Sequence, residues 1–246
     1  LTDGCGWRII AGMKWDRLKG KFIVLDGPDG SGKSTQVQLL TGFIRGQGLT
    51  CQAVRDPGGT RIGDQIREIL LNKDNIEMSV RCEALLFMAS RAQLFSEQIQ
   101  PALEQQKCVI CDRWVSSTYA YQAVAGKIGL ELVINLADVA LERVWPDLTI
   151  IIDVPCDTGL ARIGRIDKNG NKPSQKNTPA PNQGMFEFYA TSDRMEEKRK
   201  DFHQRVRKAF LSLADTREDF RVVDGSGSIE EVHEEICEVI GEYVNS

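Results

Sequence analysis

The stretch GPDGSGKST, residues 27–35, follows the apolar run Phe22-Ile23-Val24-Leu25 and leads straight into a helical pattern. Few arrangements satisfy that order. A buried strand must end, glycines must turn the chain with their N–H groups left open, and a helix must start with those groups aimed at one point. The spacing G-x-x-x-x-G-K-[ST] is met by Gly27, Gly32, Lys33 and Ser34, with Gly30, Ser31 and Thr35 completing the loop. Such a loop binds a nucleoside triphosphate. Its backbone cradles the phosphates, Lys33 reaches the β and γ oxygens, and the Ser34 hydroxyl can ligate Mg²⁺.

Apolar strand-like runs recur at KFIVLDG, TCQAVRDPGG, KCVICDR, DLTIIIDVP and FRVVDGS. Helical patterns lie between them at 35–47, 61–71, 79–106, 115–144, 157–164, 193–214 and 229–245. Strands alternating with helices predict one α/β domain around a parallel sheet, and the continuous apolar character of three runs predicts burial on both faces. Three runs end in an acid, at Asp26, Asp112 and Asp153. Ligands of open α/β sheets gather beyond the carboxyl ends of the strands, so function is expected along that edge. Asp112 is read as a holder of Mg²⁺ or its water shell, against the plainer alternative of a cap on the next turn.

The segment DKNGNKPSQKNTPAPNQG, residues 167–184, is nearly empty of large apolar groups and reads as a long polar loop. Residues 1–20 lack the apolar core and cleavage site of a secretory signal and are expected to be a disordered extension, with Met13 an alternative start. The domain is then 21–246. No run approaches the length of a membrane span. A net charge of −4 and a pI near 5.4 argue against nucleic acid or acidic lipid as partners. Seven cysteines without regular spacing make no disulfide framework and point to a reducing cytoplasm. Cys108 and Cys111 form a C-x-x-C inside a strand pattern, where their side chains would point to opposite faces.

Hydrolytic switches need a water and a moving segment, whereas a kinase of small acceptors needs a second anion-holding pocket facing the triphosphate. Arg55, ending the second strand run, and Arg113, ending the third, look like a phosphate clamp. Phe87 and Arg91, four apart on one helix face, suit a planar base: the ring stacks it and the guanidinium donates to its carbonyl.

FIVLDGPDGSGKST, RDPGGT, ALLFMASRAQL, DRWVSSTYAYQ and PDLTIIIDV, in this order and spacing, resemble thymidylate kinases of the bacterial kind. The likeness spans residues 21–243. It implies the nucleoside-monophosphate-kinase fold, a five-stranded parallel sheet of order 2-3-1-4-5 with a lid at about 162–196 that includes the 167–184 insertion. It also implies transfer of the ATP γ-phosphoryl to dTMP with Mg²⁺, in a homodimer. The resemblance puts Asp29 at the acceptor sugar's 3′-hydroxyl, Arg55 and Arg113 on the acceptor phosphate, and Phe87 and Arg91 on thymine. Thr118 and Gln122 fall near the base's polar edge and Tyr121 under the sugar, where a ring excludes a 2′-hydroxyl. Gly30 stands where one branch of the family has an arginine, which moves the catalytic arginines to the lid. Arg194 is the first choice for the transferred phosphoryl, Arg165 another candidate, and Arg162 is expected against adenine.

Three departures bear on acceptor geometry: Asp56 where glutamate is usual, Trp114 where tyrosine or histidine is common, and QAVAGKIG in place of a glycine-richer stretch. The competing readings are a kinase for another nucleotide or nucleoside, and a P-loop ATPase switch that transfers nothing.

Overall fold

The computed structural model describes residues 13–165, 194–195 and 199–245. β1 (Phe22–Asp26), β2 (Cys51–Arg55), β3 (Cys108–Asp112), β4 (Leu148–Asp153) and β5 (Phe220–Asp224) form one sheet of order β2-β3-β1-β4-β5. Every neighbouring pair is parallel, so all five carboxyl ends share one edge. The continuously apolar β1 and β3 are buried along their whole length, while the outermost strands β2 and β5 carry exposed positions. That is the burial expected of central and edge strands of a sheet covered on both faces.

The side-chain period of two splits β1 between two cores. Ile23 and Leu25 pack on one face with α1 (Lys33–Gly46) and α9 (Ile229–Asn245), and Phe22 and Val24 on the other with α3 (Val80–Leu94) and α6 (Leu130–Ala140). Cys108 and Cys111 separate in the same way, as expected, into opposite cores as buried free thiols. α8 (Lys200–Thr216) adds a third cluster around Phe210.

α2 (Arg61–Leu71) and α9 keep the bounds read from the sequence. Two other patterns are broken. The expected helix 79–106 is α3, a π-helical turn at Phe95–Ile99 and α4 (Gln100–Glu104). Pro101, which has no N–H to give, sits where the π-helical turn passes into α4, so the helical ladder lacks one donor at that junction. The expected helix 115–144 is α5 (Val115–Thr118), a π-helical stretch Tyr119–Ala125, a break and α6. Gly129 ends that break at φ 92°, in the left-handed half of backbone space that a continuous helix excludes. Of the pattern at 193–214, the described helical part begins at Lys200, while Arg194 and Met195 lie in a turn.

The boundary placed at residue 20 is corrected. Trp15–Leu18 forms a 3₁₀ turn in which Leu18 is wholly buried and Trp15 stands edge-on to Phe43 at 5.2 Å. Arg17 fastens it by donating to the carbonyl of Val244 at 2.9 Å. Trp15 and Leu18, three apart, cover apolar surface of α1 and α9 that would otherwise face water. Residues 1–12 and most of the expected lid, 166–193 and 196–198, lie outside the described residues, and the 167–184 insertion with them. α7 (Cys156–Arg162) leads into the expected lid.

Candidate active site

Asp26, the last residue of β1, is fully buried and organises the edge. It accepts from the N–H of Gly27 at 2.8 Å and Trp114 at 3.3 Å, and from the hydroxyls of Ser116 at 2.6 Å and Ser117 at 2.7 Å. One carboxylate thus binds the start of the glycine-rich loop to the start of α5. Gly30, at φ 75°, rests on α7, and a Cβ there would come within 2.1 Å of the Gly159 carbonyl oxygen. A side chain at this position is excluded by backbone, so position 30 brings no charge to the loop.

Lys33 opens α1 with 6% exposure, and its ammonium donates to the Pro28 carbonyl at 2.7 Å and to Ser31 Oγ at 3.1 Å. Burial, with Arg113 nearby, lowers its pKa to about 8. The Ser34 hydroxyl donates to Asp112 Oδ2 at 2.5 Å, so the loop and the end of β3 bring two hard oxygen donors together. Among the described residues no group of three or more His, Cys, Asp or Glu could hold a metal alone. The Ser34–Asp112 pair fits Mg²⁺, a cation that takes one or two protein oxygens and completes its shell with phosphate and water.

Arg113 stands next to Asp112 with φ 70°, an unfavourable conformation for a side chain of that size. It is held there by donating to the Gly27 carbonyl and Ser117 Oγ, both at 3.0 Å, and by a short ion pair with Asp29, with the Tyr121 ring centred 5.5 Å away. Burial would push the Asp29 carboxyl up, but Arg113 and Lys33 beside it hold it below its ordinary value. Arg55, ending β2, reaches Asp64 at 3.4 Å. A single cleft runs from Lys33, Ser34 and Asp112, past Asp29, Arg113 and Arg55, to Phe87, Thr118, Tyr121 and Gln122. Lys33, Arg55, Arg113 and an aromatic end therefore share one cavity.

Arg91 is a correction. It is wholly buried behind the cavity wall, donating to Asp56 through Nε at 2.9 Å and through a shorter Nη2 contact, and to the Trp114 carbonyl at 3.1 Å. Its remaining nitrogen reaches Thr118 Oγ1 at 3.3 Å, so it meets the cavity through two lining residues, Thr118 and Asp56. A guanidinium removed from water takes a carboxylate, and Asp56 supplies it. Arg194 is also displaced from its expected place. It donates to the Leu70 carbonyl at 3.1 Å and forms a short ion pair with Glu83, at the aromatic end of the cleft and not at the phosphate loop. Arg162 donates to the carbonyls of Gly225 at 2.8 Å and Gly30 at 3.5 Å, under the loop. Arg165 is half-buried at the turn that ends α7.

Sequence reasoning missed Arg67, Glu83, Met195 and His203. Arg67 is buried on the cleft wall and donates to the Pro57 carbonyl at 2.8 Å. The signal was its place on the inner stripe of α2 with Gly63 and Leu70, where an apolar residue is the norm. His203 lies in the matching stripe of α8 with Val206 and Phe210, and its Nδ1 is 3.8 Å from Asp29 Oδ2.

A family model described as thymidylate kinase matches residues 25–236. A thymidylate kinase of Fervidobacterium nodosum is 39% identical over 223 residues, 91% of this chain and 100% of the relative. One from Thermosipho africanus is 37% identical over 225 residues, 92% of this chain and 100% of the relative. The crystal structure of thymidylate kinase from Ehrlichia chaffeensis superposes with a TM-score of 0.66 at 29% identity, covering 90% of this chain and 98% of that one.

Proposed function

This chain belongs to the thymidylate kinase family, and from that premise we infer that its cleft transfers the γ-phosphoryl group of ATP to dTMP, giving dTDP and ADP. The observation that carries the reading is the second set of arginines facing the phosphate loop across one cavity. An ATPase switch has no use for them; an anionic acceptor does.

A phosphate oxygen of dTMP attacks the γ-phosphorus in line, the bond to the β–γ bridging oxygen breaks, and ADP carries that oxygen away. The acceptor is already an anion, so no side-chain base is required. Lys33 meets the β and γ oxygens from the loop formed by Gly27, Gly30, Ser31, Gly32, Ser34 and Thr35. Arg55, Arg67 and Arg113 offset the charge of the acceptor phosphate, and Asp29, held ionised by Arg113, accepts from the sugar's 3′-hydroxyl. Arg165 is assigned to the transferred phosphoryl and Arg162 to the adenine side. Ser34 and Asp112 would hold Mg²⁺ together with the ATP phosphates, where the ion neutralises charge on the β and γ oxygens. Phe87 stacks the base, and Thr118 and Gln122 face its polar edge.

We assign the active form to a homodimer. The exposed Leu85 of α3 and Leu130 and Ile134 of α6, on two helices packed against each other, support a shared apolar face. The free thiols among the described cysteines support a reducing, cytoplasmic setting. No described helix is long and apolar enough to cross a membrane.

The test is ADP release measured with dTMP, dUMP, dCMP, dGMP, thymidine and no acceptor. The highest kcat/KM is expected with dTMP; turnover that needs no acceptor would favour the switch. A second measurement addresses the sugar. Tyr121 is 5% exposed and packs against Phe210 at 6.2 Å between ring centroids. Tyr121→Ala is expected to narrow the preference for dTMP over its ribose counterpart about tenfold or more in kcat/KM. The ratio is independent of how much of the variant folds, and an unchanged ratio would make Tyr121 a packing residue.

A further inference from the structure

The aromatic end of the cleft holds a polar arrangement that the phosphate chemistry does not use. Glu83 of α3 is 2% exposed, and both its oxygens are engaged. Oε1 accepts from Gln122 Nε2 at 2.6 Å, and Oε2 receives the guanidinium of Arg194. Gln122 is itself 1% exposed and lines the cavity.

A primary amide has two unlike ends, a carbonyl that accepts and an NH₂ that donates. Free to turn, Gln122 would offer either to a base. A carboxylate paired with arginine only accepts, so it can bind the NH₂ end alone, and the carbonyl is left for the cavity. We propose that Glu83 is a positioning residue that sets base specificity: by locking the Gln122 amide it makes the pocket present a hydrogen-bond acceptor. This inference rests on the dTMP reading above. Thymine carries a donor, N3–H, between two carbonyls. Cytosine has an acceptor at N3 and a donor at its exocyclic amine. An acceptor fixed opposite N3 therefore rewards thymine and sets lone pair against lone pair for cytosine, and a site built around one hydrogen-bonding pattern rejects the analogue that lacks it.

Arg194 adds a condition. It is anchored to the end of α2 through the carbonyl of Leu70 and through its own N–H to the carbonyl of Leu71 at 3.3 Å, and the next residue, Met195, lines the cavity. The carboxylate that orients the amide is thereby held from both sides, by α3 and by the chain returning toward α8.

The experiment compares kcat/KM for dTMP and dCMP, with ATP saturating, in four proteins: wild type, Glu83→Gln, Gln122→Leu and the double variant. The amide that Glu83→Gln introduces can donate as well as accept, so the Gln122 amide is freed to turn. The dTMP:dCMP ratio is expected to fall at least tenfold in Glu83→Gln, chiefly through KM for dTMP, with KM for ATP unchanged. Gln122→Leu should lower the ratio as far, and Glu83→Gln should then have no further effect in the double variant, because its action passes through the amide. A ratio unchanged in Glu83→Gln, or lowered by the same factor whether or not Gln122 is present, overturns the proposal. Should Glu83→Gln fail to fold, Gln122→Leu decides alone: an unchanged ratio there overturns it. A wild-type enzyme that did not prefer dTMP to dCMP would instead remove the dTMP reading.

Discussion

Lys33→Met is expected to lower kcat by about a thousandfold or more while leaving the folded protein at least as stable as before. Catalysis of phosphoryl transfer is largely positioning and charge, and losing one cation at the transferring group costs roughly that factor. Stability runs the other way. The Lys33 pKa is about 8 in the folded chain against 10.5 for a free lysine, because burial disfavours its charge. The unfolded chain binds the extra proton between those values, so folding becomes easier as pH rises through that window, and below pH 8 the full penalty is present. Two and a half units correspond to about 3 kcal/mol. The hydrogen bonds to Pro28 and Ser31 return about 1 kcal/mol each, which leaves a small net cost that methionine removes. Thermal unfolding at pH 7 should show a Tm equal to the wild type or a few degrees higher. The same pKa makes kcat/KM for ATP decline as pH rises through about 8, since that quantity reports the free enzyme. A variant that turns over normally, or a flat profile to pH 10, would remove Lys33 from the phosphates.

The largest loss of stability is expected at the buried pair in the cleft wall. Arg91 and Asp56 have side chains 0% and 1% exposed, and burial pushes the Asp56 carboxyl above its ordinary value even with Arg91 opposing it. The attraction therefore does not fully offset the desolvation. Breaking such a pair is worse than lacking it, since the partner left behind keeps its charge out of water. Asp56→Ala or Arg91→Ala should destabilise the fold by about 3–5 kcal/mol, a fall in Tm of roughly 10 °C for a chain of this size. The double change Asp56→Leu/Arg91→Met should recover much of it. Chemical denaturation of the three variants checks this. A Tm that holds in Arg91→Ala while dTMP binding alone weakens would return the guanidinium to the base.

The sheet, the phosphate loop and the strand-end acids were legible because each is local: an apolar run, a glycine spacing, an acid at the end of a strand pattern. Phe87 was read from its helix face, the cleft residues Asp29, Thr118, Tyr121 and Gln122 came from the family likeness, and all five line the cavity. What failed was partnership. Arg91 meets Asp56 across 35 positions and Arg194 meets Glu83 across 111, and a charge pattern along the chain carries no sign of which carboxylate will claim which arginine. Periodicity also runs through the π-helical turns at 95–99 and 119–125, because one surplus residue leaves the apolar rhythm on either side intact. Trp15 and Leu18 were lost for a simpler reason: two apolar residues are too few to make a periodic signal.

Asp26 gives the cleft a mechanical character. Four hydrogen bonds fix the start of the glycine-rich loop to the start of α5, so the two form a single stiff casting. The span between them is machined into the fold and does not have to be found again at each turnover. In this sense the floor of the cleft is an anvil: loss of this one carboxylate would throw the loop and the helix start out of true together.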